Sequence, residues 1–374
     1  MGIISDIHMG HGEGERYEDP FDAFEEALEL CKDCDFLLLP GDIFDSRTPL
    51  TETITRAAVL LAKAGRKDSG VKILEKDTNL RTPIIAIHGT HERRSKGLLN
   101  PVEALDKMGF LIHLHCNYVV LEKGGEKVCI QGLSAVPEQF SEKVVKEWAP
   151  KPVPNCKNVF FLHQSIAGFL YAEHLLLLES LPKGFDLYVN GHIHEPKEAT
   201  CHGAPFIIPG SLVHTQVTST TKPARVYKVD LQNMKIWWEE LQNQRKFYYK
   251  AFEGADPKEV ENYLKEILDE PKKEMEADGI SFKAFKKPLI KIKIKRIPTD
   301  ELMIKFGDKA FISFGFEKEE IETKTLEEHV LSVKDMGKQL LKDNLKEAGI
   351  EEWEPIFELL LNKKQEEVIK MLEK

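Results

Sequence analysis

The sequence has no long hydrophobic run and no secretion signal. No apolar stretch in its 374 residues approaches the ~20 residues that a transmembrane helix needs. The first residues lack a basic segment followed by a long apolar one and a small-residue cleavage site, the pattern that marks a secreted protein. Together with 42% hydrophobic and 30% charged residues, these absences predict a cytoplasmic globular protein with no membrane partner.

Cysteine is scarce, which excludes a fold held together by disulfides. Six cysteines are too few to build a disulfide framework in a chain of this length. Cys31 and Cys34 form a CxxC pair without the second CxxC that would complete a zinc site. The pair falls in an apolar-periodic helix, where small buried cysteines are common, so packing is favoured over redox or metal binding.

An excess of positive charge is also absent, since the formal net charge is −10. Because affinity for nucleic acid is largely electrostatic, this balance argues against DNA binding. It does not exclude it, because bound metal ions add positive charge and basic residues can cluster locally. Such clusters occur at Arg93–Lys96 and at Lys291, Lys293, Lys295 and Arg296.

Residues 1–235 have the pattern of an α/β domain. Short apolar runs such as "FLLLPGD", "PIIAIHG" and "VFFLHQ" are each interrupted by glycine, proline or polar residues, as is typical of buried strands. Helices are predicted between several of them, over residues 20–33 and Leu50–Lys63. The chain is long enough for two or three domains.

The pattern changes after residue 235. Residues 236–316 predict a small α+β domain, with a strand at "KFYYKAFEG", a helix from Pro257 to about Ala277, and a strand at "PLIKIKIKRI". In that last strand isoleucines alternate with lysines, so one face is expected to be buried. Residues 317–374 predict charged helices with one apolar side, which either packs on its own domain or docks another chain.

Metal-binding residue types follow five of the predicted strands. "SDIHMGH" contains Asp6 and His8, although an isolated D-x-H pair is more often a solvated turn than a pair of ligands. The other strand ends carry Asp42 in "LLLPGD", Thr90 and His91 in "IIAIHGTHE", His163 in "VFFLHQS", and His192 and His194 in "LYVNGHIH". Because the carboxyl ends of strands in an open α/β sheet meet at one crevice, these side chains are expected to converge.

This set of carboxylates and imidazoles suits two divalent metal ions. Ions about 3.5–4 Å apart need a bridging carboxylate, for which Asp42 is the natural candidate, and open positions for water and a phosphate oxygen. His192 and His194, two positions apart in a turn, can reach different ions. Asp45 is expected to be a turn or hydrogen-bonding residue beside the site and His11 a neighbour. Structural roles are predicted for His88, His113, His115 and His202.

The ordered motifs DxH, GDxxD, GxHE, H and GHxH resemble the calcineurin-like metallophosphoesterases over roughly residues 3–215. "GDIFDSRTPL", "IIPGSLVHTQ" and the small domain with its tail are most similar to the SbcD-like nucleases of DNA double-strand-break repair, which work with an SMC-like ABC ATPase. The resemblance implies a two-sheet α/β sandwich core at 1–235, a smaller α+β DNA-binding capping domain at 236–316 and a helical, ATPase-docking C-terminal tail at 317–374. A first strand of only "GIIS" suggests that native residues precede Met1.

The resemblance also implies roles for the site residues. One ion would be held by Asp6, His8, Asp42 and His194, and the other by Asp42, His163, His192 and the residue at position 90. His91 would contact the scissile phosphate and act as a general acid. The family's usual metal is manganese, whereas ligand type alone leaves zinc or iron open.

Position 90 departs from the family pattern. Thr90 stands where the family has asparagine, while the adjacent pair His91 and Glu92 is intact. A hydroxyl is a poorer ligand than an amide carbonyl, so the second ion is expected to bind more weakly or through a water.

The implied activity is 3′-to-5′ exonuclease and single-strand endonuclease cleavage of DNA in a prokaryotic, nucleoid-associated setting. The family also implies a homodimer through Leu50–Lys63 and Pro101–Met108, although both segments could equally cover a sheet. Two other functions stay open: a phosphatase or small-molecule phosphodiesterase of the same superfamily, and a non-catalytic scaffold in which Thr90 is a first sign of decay.

Overall fold

The chain is seen in a computed structural model that describes residues 1–74, 80–95, 97–170, 173–252, 256–268, 286–294 and 299–316. The chain divides into two units, Met1–Glu317 and Lys318–Lys374. The predicted helical tail, the end of the helix predicted to reach Ala277, and the basic residues Lys96, Lys295 and Arg296 lie outside the described residues.

The described part contains strands, α-helices and two short 3-10 helices. The strands are β1 (Gly2–Ile3), β2 (Leu37–Pro40), β3 (Lys72–Leu74), β4 (Ile84–Ile87), β5 (Ile112–His113), β6 (Asn117–Lys123), β7 (Glu126–Leu133), β8 (Lys157–Leu162), β9 (Leu187–Asn190), β10 (Lys197–Cys201), β11 (Ala204–Ile208), β12 (Arg225–Asp230), β13 (Lys235–Glu240), β14 (Phe247–Ala251), β15 (Leu289–Ile294) and β16 (Phe311–Phe316). The α-helices are α1 (Asp19–Leu30), α2 (Thr51–Gly65), α3 (Pro101–Lys107), α4 (Glu138–Trp148), α5 (Pro257–Leu268) and α6 (Asp300–Phe306). The 3-10 helices span Gly14–Glu18 and Leu178–Ser180.

Two mixed sheets form the core. The first has the strand order β13–β12–β1–β2–β4–β5 and the second β10–β11–β9–β8–β7–β6–β3. Strands β1, β2, β4 and β5 run parallel in the first sheet, as do β7, β8, β9 and β11 in the second. Buried side chains from both sheets pack in one cluster that includes Ile3, Leu38, Ile85, Ile130 and Val159. The predicted two-sheet α/β sandwich is therefore confirmed.

Helices cover the outer face of the first sheet. Apolar residues of α1, α2 and α3 pack with strand residues of that sheet in a second cluster, which contains Phe24, Leu61 and Leu105. Helix α1 has proline in its first turn, where the missing N–H costs nothing. Helix α3 starts with a capping box, in which the Asn100 side chain accepts from the Glu103 N–H and Glu103 accepts from the Asn100 N–H. Local sequence thus fixes where these helices begin.

A separate three-stranded parallel sheet follows, in the order β14–β15–β16. The isoleucines of β15 pack with Val260 and Leu264 of α5 and with Leu302 and Phe306 of α6, so one face of this sheet is buried as the alternation predicted. The first core sheet continues through β13 to Glu240. We therefore place the proposed division between the core and the smaller domain within residues 241–246.

In the described part of the chain, no helix is both long enough and apolar enough to cross a membrane.

Candidate metal centre

The candidate ligands meet where strands of both core sheets end. Asp6 and His8 follow β1, Asp42 follows β2 and His91 follows β4 in the first sheet, while the second sheet supplies His163 after β8 and His192 and His194 after β9. Their ligand atoms form three clusters, each with all atoms within 4.8 Å of one another: Asp6, His8 and His194; His8, Asp42 and His91; Asp42, His163 and His192. Asp42 is shared by the last two clusters, as a carboxylate between two ions would be.

Several of these residues have an unusual backbone conformation. Asp6, His8, Asp42 and His192 have φ angles of 50°, 54°, 47° and 73°, in the left-handed region that residues with a Cβ seldom adopt. The left-handed residues turn the chain sharply at the strand ends, and such strain concentrates at functional sites. This backbone feature was not predicted from the sequence, because Asp and His occur in many other conformations.

Glycine is required where the loops approach each other. A Cβ at Gly89 would overlap the carboxylate of Asp42, and a Cβ at Gly191 would overlap the Pro40 carbonyl and lie 2.8 Å from His163 Nδ1. The glycines of "GTH" and "GHIH" therefore allow the loops that follow β4 and β9 to pack against the loop after β2.

Asp42 lies at the centre of the hydrogen bonds. Its Oδ1 accepts the His91 N–H at 2.9 Å, its Oδ2 accepts the Thr90 hydroxyl at 3.3 Å, and Oδ2 lies 3.2 Å from His163 Nε2. Burial alone would raise its pKa, but the neighbouring histidines, above all His163, hold the pKa of Asp42 well below its usual range. Asp42 is therefore ionised, and Thr90 lies beside it as the sequence predicted.

His163 provides a test of whether a cation fits. Its Nδ1 donates to the Pro40 carbonyl at 2.7 Å, so in the neutral ring Nε2 carries the lone pair. Nε2 is buried, has no hydrogen-bond partner among the described residues, and faces an oxygen of Asp42. Burial lowers the pKa of His163 and Asp42 raises it, to a net value of about 9, so without an ion a proton on Nε2 supplies the positive charge between the ring and the carboxylate. Two electron-rich atoms that face each other in a buried site need a positive charge between them, and a divalent ion fits this requirement.

A second pair of ring nitrogens has the same character. His8 Nδ1 donates to Asp45 Oδ1 at 2.9 Å, which leaves the lone pair on Nε2. That Nε2 lies 3.1 Å from Nε2 of His194, whose Nδ1 lies 3.1 Å from the Thr215 hydroxyl. When both Nδ1 atoms donate, both Nε2 lone pairs point at the same place. The His8 and His194 rings are thus oriented to share a cation.

Asp45 contacts three histidines at the rim of the site. Besides His8, its Oδ2 accepts from His11 Nδ1 at 3.2 Å, and its backbone carbonyl and Oδ1 lie 3.2 and 3.3 Å from His91 Nδ1. Burial would raise the pKa of Asp45, but its bonds to His11 and His8 hold it well below the usual range. The predicted hydrogen-bonding role of Asp45 and the predicted position of His11 agree with this geometry. The His91 ring faces Asp45 and is 43% exposed.

Other polar contacts of the site were missed from the sequence. Glu92 is buried and accepts two backbone N–H groups, from Phe44 at 2.8 Å and from Gly89 at 2.7 Å, so it ties together the loops after β2 and β4. Burial raises the pKa of Glu92 to about 8. The Ser165 hydroxyl lies 3.0 Å from His192 Nε2. The motif "HE" and the serine after "VFFLHQ" were the available signals.

Histidines predicted to be structural have partners outside the three clusters. His88 Nδ1 lies 3.0 Å from His113 Nε2, and their rings are stacked. His115 packs on the His88 ring, with the centroids 5.5 Å apart. His202 Nε2 donates to the Leu181 carbonyl at 2.9 Å.

Comparison with known proteins gives one family. The family model described as calcineurin-like phosphoesterase matches residues 1–196. The "DNA double-strand break repair protein Mre11" of Methanopyrus kandleri is 31% identical over 230 residues, which are 56% of this chain and 48% of that protein. The protein of the same description from Saccharolobus solfataricus is 27% identical over 199 residues (51% and 48%), and the human "Double-strand break repair protein MRE11" is 25% identical over 274 residues (63% and 39%).

These relatives extend beyond the matched region, since the chain spans about half the length of the curated relatives that it matches. A crystal structure of a Staphylococcus aureus protein described as a 5′-nucleotidase has 14% sequence identity and a TM-score of 0.37, with 64% of this chain and 52% of that chain covered. A similarity this low carries no functional argument.

The family match, over residues 1–196, contains all seven residues that form the three clusters. The predicted resemblance is therefore confirmed by an independent comparison. The chain belongs to the calcineurin-like phosphoesterase family.

Proposed function

We propose that the chain is a metal-dependent DNA nuclease that processes DNA double-strand breaks. The observation that carries this proposal is the ionised, buried Asp42 shared between two clusters of imidazole ligands. Dinuclear sites of this kind catalyse in-line displacement at phosphorus. The relatives described as double-strand-break repair proteins direct the choice of substrate toward DNA.

The proposed ligands are Asp6, His8, Asp42 and His194 for one ion, and Asp42, His163, His192 and Thr90 for the other. A divalent ion, for which we propose Mn²⁺, supplies Lewis-acid activation of the phosphate and of the attacking water. The protein contributes the orientation of the ligands: Asp45 fixes the His8 ring, and the Pro40 carbonyl fixes the His163 ring.

His91 is the proposed general acid. Its Nδ1 faces Asp45, which holds the ring at the rim of the site and leaves Nε2 to donate a proton to the departing sugar oxygen. The cluster of His8, Asp42 and His91 also permits a competing role for His91, as a metal ligand. The metal content of a His91 variant distinguishes these roles.

The three-stranded sheet is proposed to contact DNA. Lys291 and Lys293 lie on the face of β15 opposite the isoleucines that α5 and α6 cover. Lysines on one face can pair with backbone phosphates without reading the base sequence. The proposal assigns DNA binding to the smaller domain, predicted at residues 236–316, without residues 236–240, which belong to β13 of the first core sheet.

Two protein partners belong to the same proposal. A homodimer through α2 and α3 is supported by apolar side chains that these segments present to solvent: Leu50, Val59 and Met108 are 64%, 62% and 52% exposed. An SMC-like ABC ATPase is proposed to dock on residues 317–374. Deleting these residues should abolish ATPase binding, and retained binding would refute this assignment.

The decisive experiment is cleavage of end-labelled single-stranded and double-stranded DNA by the purified chain with Mn²⁺, Mg²⁺ or a chelator. We expect manganese-dependent shortening from 3′ ends and internal cuts in single strands. Hydrolysis of a phosphomonoester or cyclic nucleotide with intact DNA would support the phosphatase or phosphodiesterase function instead. A chain that binds manganese but hydrolyses none of these substrates would be a scaffold.

A further inference from the structure

A pair of thiols lies at the C-terminal end of α1, on residues that the proposed metal centre does not use. Cys31 caps the helix, and the Cys34 N–H donates to the Cys31 carbonyl at 2.9 Å, closing a four-residue turn. Such a turn brings its first and last Cα atoms within about 7 Å. A disulfide needs a Cα separation of about 4.4–6.8 Å. The backbone is therefore already close to the geometry of a bridge between these two cysteines.

Both cysteines line the same surface cavity, which has a volume of about 570 Å³. Pockets for small molecules typically have volumes of about 300–1,000 Å³. The apolar part of the lining consists of Leu28, Leu37, Leu60 and Ala64, and charged groups of both signs surround it, including Glu29, Lys32 and Lys63. The cavity is therefore large enough for a small zwitterionic peptide to approach the Cys34 thiol.

The two thiols are not equivalent. Cys31 is only 3% exposed, and its Sγ packs against Gly2, where an added Cβ would lie 2.9 Å from the sulfur. Cys34 is partly exposed. Interaction with Cys34 and burial raise the pKa of the Cys31 thiol, while interaction with Cys31 lowers the pKa of the Cys34 thiol. The helix carbonyls that end at Cys31 also disfavour a thiolate there. Cys34 is thus the nucleophile of the pair and Cys31 the buried partner.

We propose that Cys31 and Cys34 are a reversible oxidation site that reacts with low-molecular-weight disulfides entering this cavity. The Cys34 thiolate attacks one sulfur of the disulfide, forming a mixed disulfide and releasing one thiolate. The Cys31 thiolate then attacks the Cys34 sulfur, which forms the Cys31–Cys34 bond and releases the second thiolate. The two protein thiols lose two electrons and two protons, and the small disulfide gains them as two thiols.

The test uses the full-length reduced protein with oxidised glutathione as the probe. Lys32 lies between the two cysteines, so trypsin separates a reduced pair into the peptides 17–32 and 33–47. After oxidation these two peptides should be recovered as one disulfide-linked species, and dithiothreitol should separate them again. Recovery of only a stable glutathione adduct on Cys34, a bridge to another cysteine, or no change would each overturn the proposal.

Two variants test the separate roles of the cysteines. Cys31→Ser lacks the second thiol, so it should accumulate the glutathione adduct at Cys34. Cys34→Ser keeps only the buried thiol and should react at least 10-fold more slowly than Cys31→Ser. Equal rates for the two variants would refute the assigned roles. Cys116→Ser, which removes a cysteine outside the cavity lining, is the matched control and should form the Cys31–Cys34 bridge like the unmodified protein.

Discussion

The orientation of single imidazole rings determines what the site can do. His8 and His163 each donate through Nδ1 to a protein oxygen, of Asp45 and Pro40 respectively. Because a neutral imidazole has one donor and one acceptor nitrogen, each Nε2 becomes an acceptor aimed into the site. His91 differs, since its ring is partly exposed and faces Asp45 from the rim. The site thus combines acceptor nitrogens that point inward with an imidazole at its rim that can donate a proton.

Replacing His91 separates these two roles. We expect His91→Asn to lower the rate of DNA cleavage by roughly 10²–10⁴, the usual contribution of a general acid. Its manganese content, measured by elemental mass spectrometry, should equal that of the unmodified protein. Lost metal would instead identify His91 as a ligand. His202→Asn, at a histidine bonded to the Leu181 carbonyl, is the control and should change neither quantity.

A change at Thr90 tests whether position 90 contributes a ligand to the second ion. Its hydroxyl already donates to Asp42, and an asparagine at this position would present a carbonyl oxygen, a better ligand for a hard cation. Thr90→Asn should therefore bind the second manganese more tightly, as measured by titration calorimetry, and cleave DNA faster. Thr90→Val keeps the side-chain volume without a ligand atom and should show no such gain. If Thr90→Asn binds manganese no better than Thr90→Val, position 90 does not contribute a ligand.

At the scale of elements, the site depends on how the loops after strands are joined. Glu92 accepts N–H groups from Phe44 and Gly89 and so fixes the loop after β2 against the loop after β4. In Glu92→Gln one oxygen becomes an NH₂ donor that faces a backbone donor. The unpaired groups should lower the free energy of unfolding by about 1–3 kcal/mol, measured in urea. Glu126→Gln, an exposed change on β7, should leave it nearly unchanged; an equal loss in both variants would contradict the role of Glu92.

At the same scale, strand β15 allows a test of whether the three-stranded sheet contacts DNA. Lys291→Gln should weaken binding by a similar factor for all DNA sequences and reduce the slope of log affinity against log salt by about 1, because one phosphate contact is lost. Binding would be followed by fluorescence anisotropy at several salt concentrations. Lys143→Gln on the exposed face of α4 is the control. An unchanged slope for Lys291→Gln would exclude β15 from the DNA contact.

Elements were more predictable from the sequence than their arrangement. The apolar run of β4 and the alternation of β15 are local signals, and both strands formed where they were predicted. Whether a strand joins the first or the second sheet depends on pairings far apart in sequence, such as β1 with β12, and no local pattern encodes these. The convergence of Asp6 and His194 could be predicted because both residues follow predicted strands. The contact between His194 and Thr215 could not be predicted, because no local pattern relates these two residues.

At the scale of the whole described unit, a buried ion pair joins the core to the three-stranded sheet. Asp19 at the start of α1 accepts from Arg245 Nε at 2.6 Å, and Arg245 also donates to the Lys287 carbonyl at 2.9 Å, just before β15. The Asp19 and Arg245 side chains are only 9% and 4% exposed. The link is therefore shielded from solvent and depends on both charges.

Removing one charge of this pair should loosen the junction. Asp19→Ala leaves a buried guanidinium without its carboxylate, a change that typically costs about 3–5 kcal/mol. We expect lower stability in urea and faster amide hydrogen exchange in β14 and β15. Glu18→Ala removes the neighbouring ion pair with Arg56, whose side chains are 55% and 38% exposed, and should cost less than about 1 kcal/mol. Similar losses for both variants would show that the Asp19 link is not a junction.

The left-handed backbone at Asp6, His8, Asp42 and His192 limits how this centre can be redesigned for another metal. Aspartate and histidine are among the few residues besides glycine that are enriched at positive φ. Exchanging them for cysteine to recruit a softer ion would change the ligand atom, and a glutamate in place of aspartate would lengthen the side chain. Either exchange would also strain the loop that presents the ligand. The choice of metal at this candidate centre is thus restricted by the backbone as well as by ligand chemistry, and asparagine is the replacement that both allow.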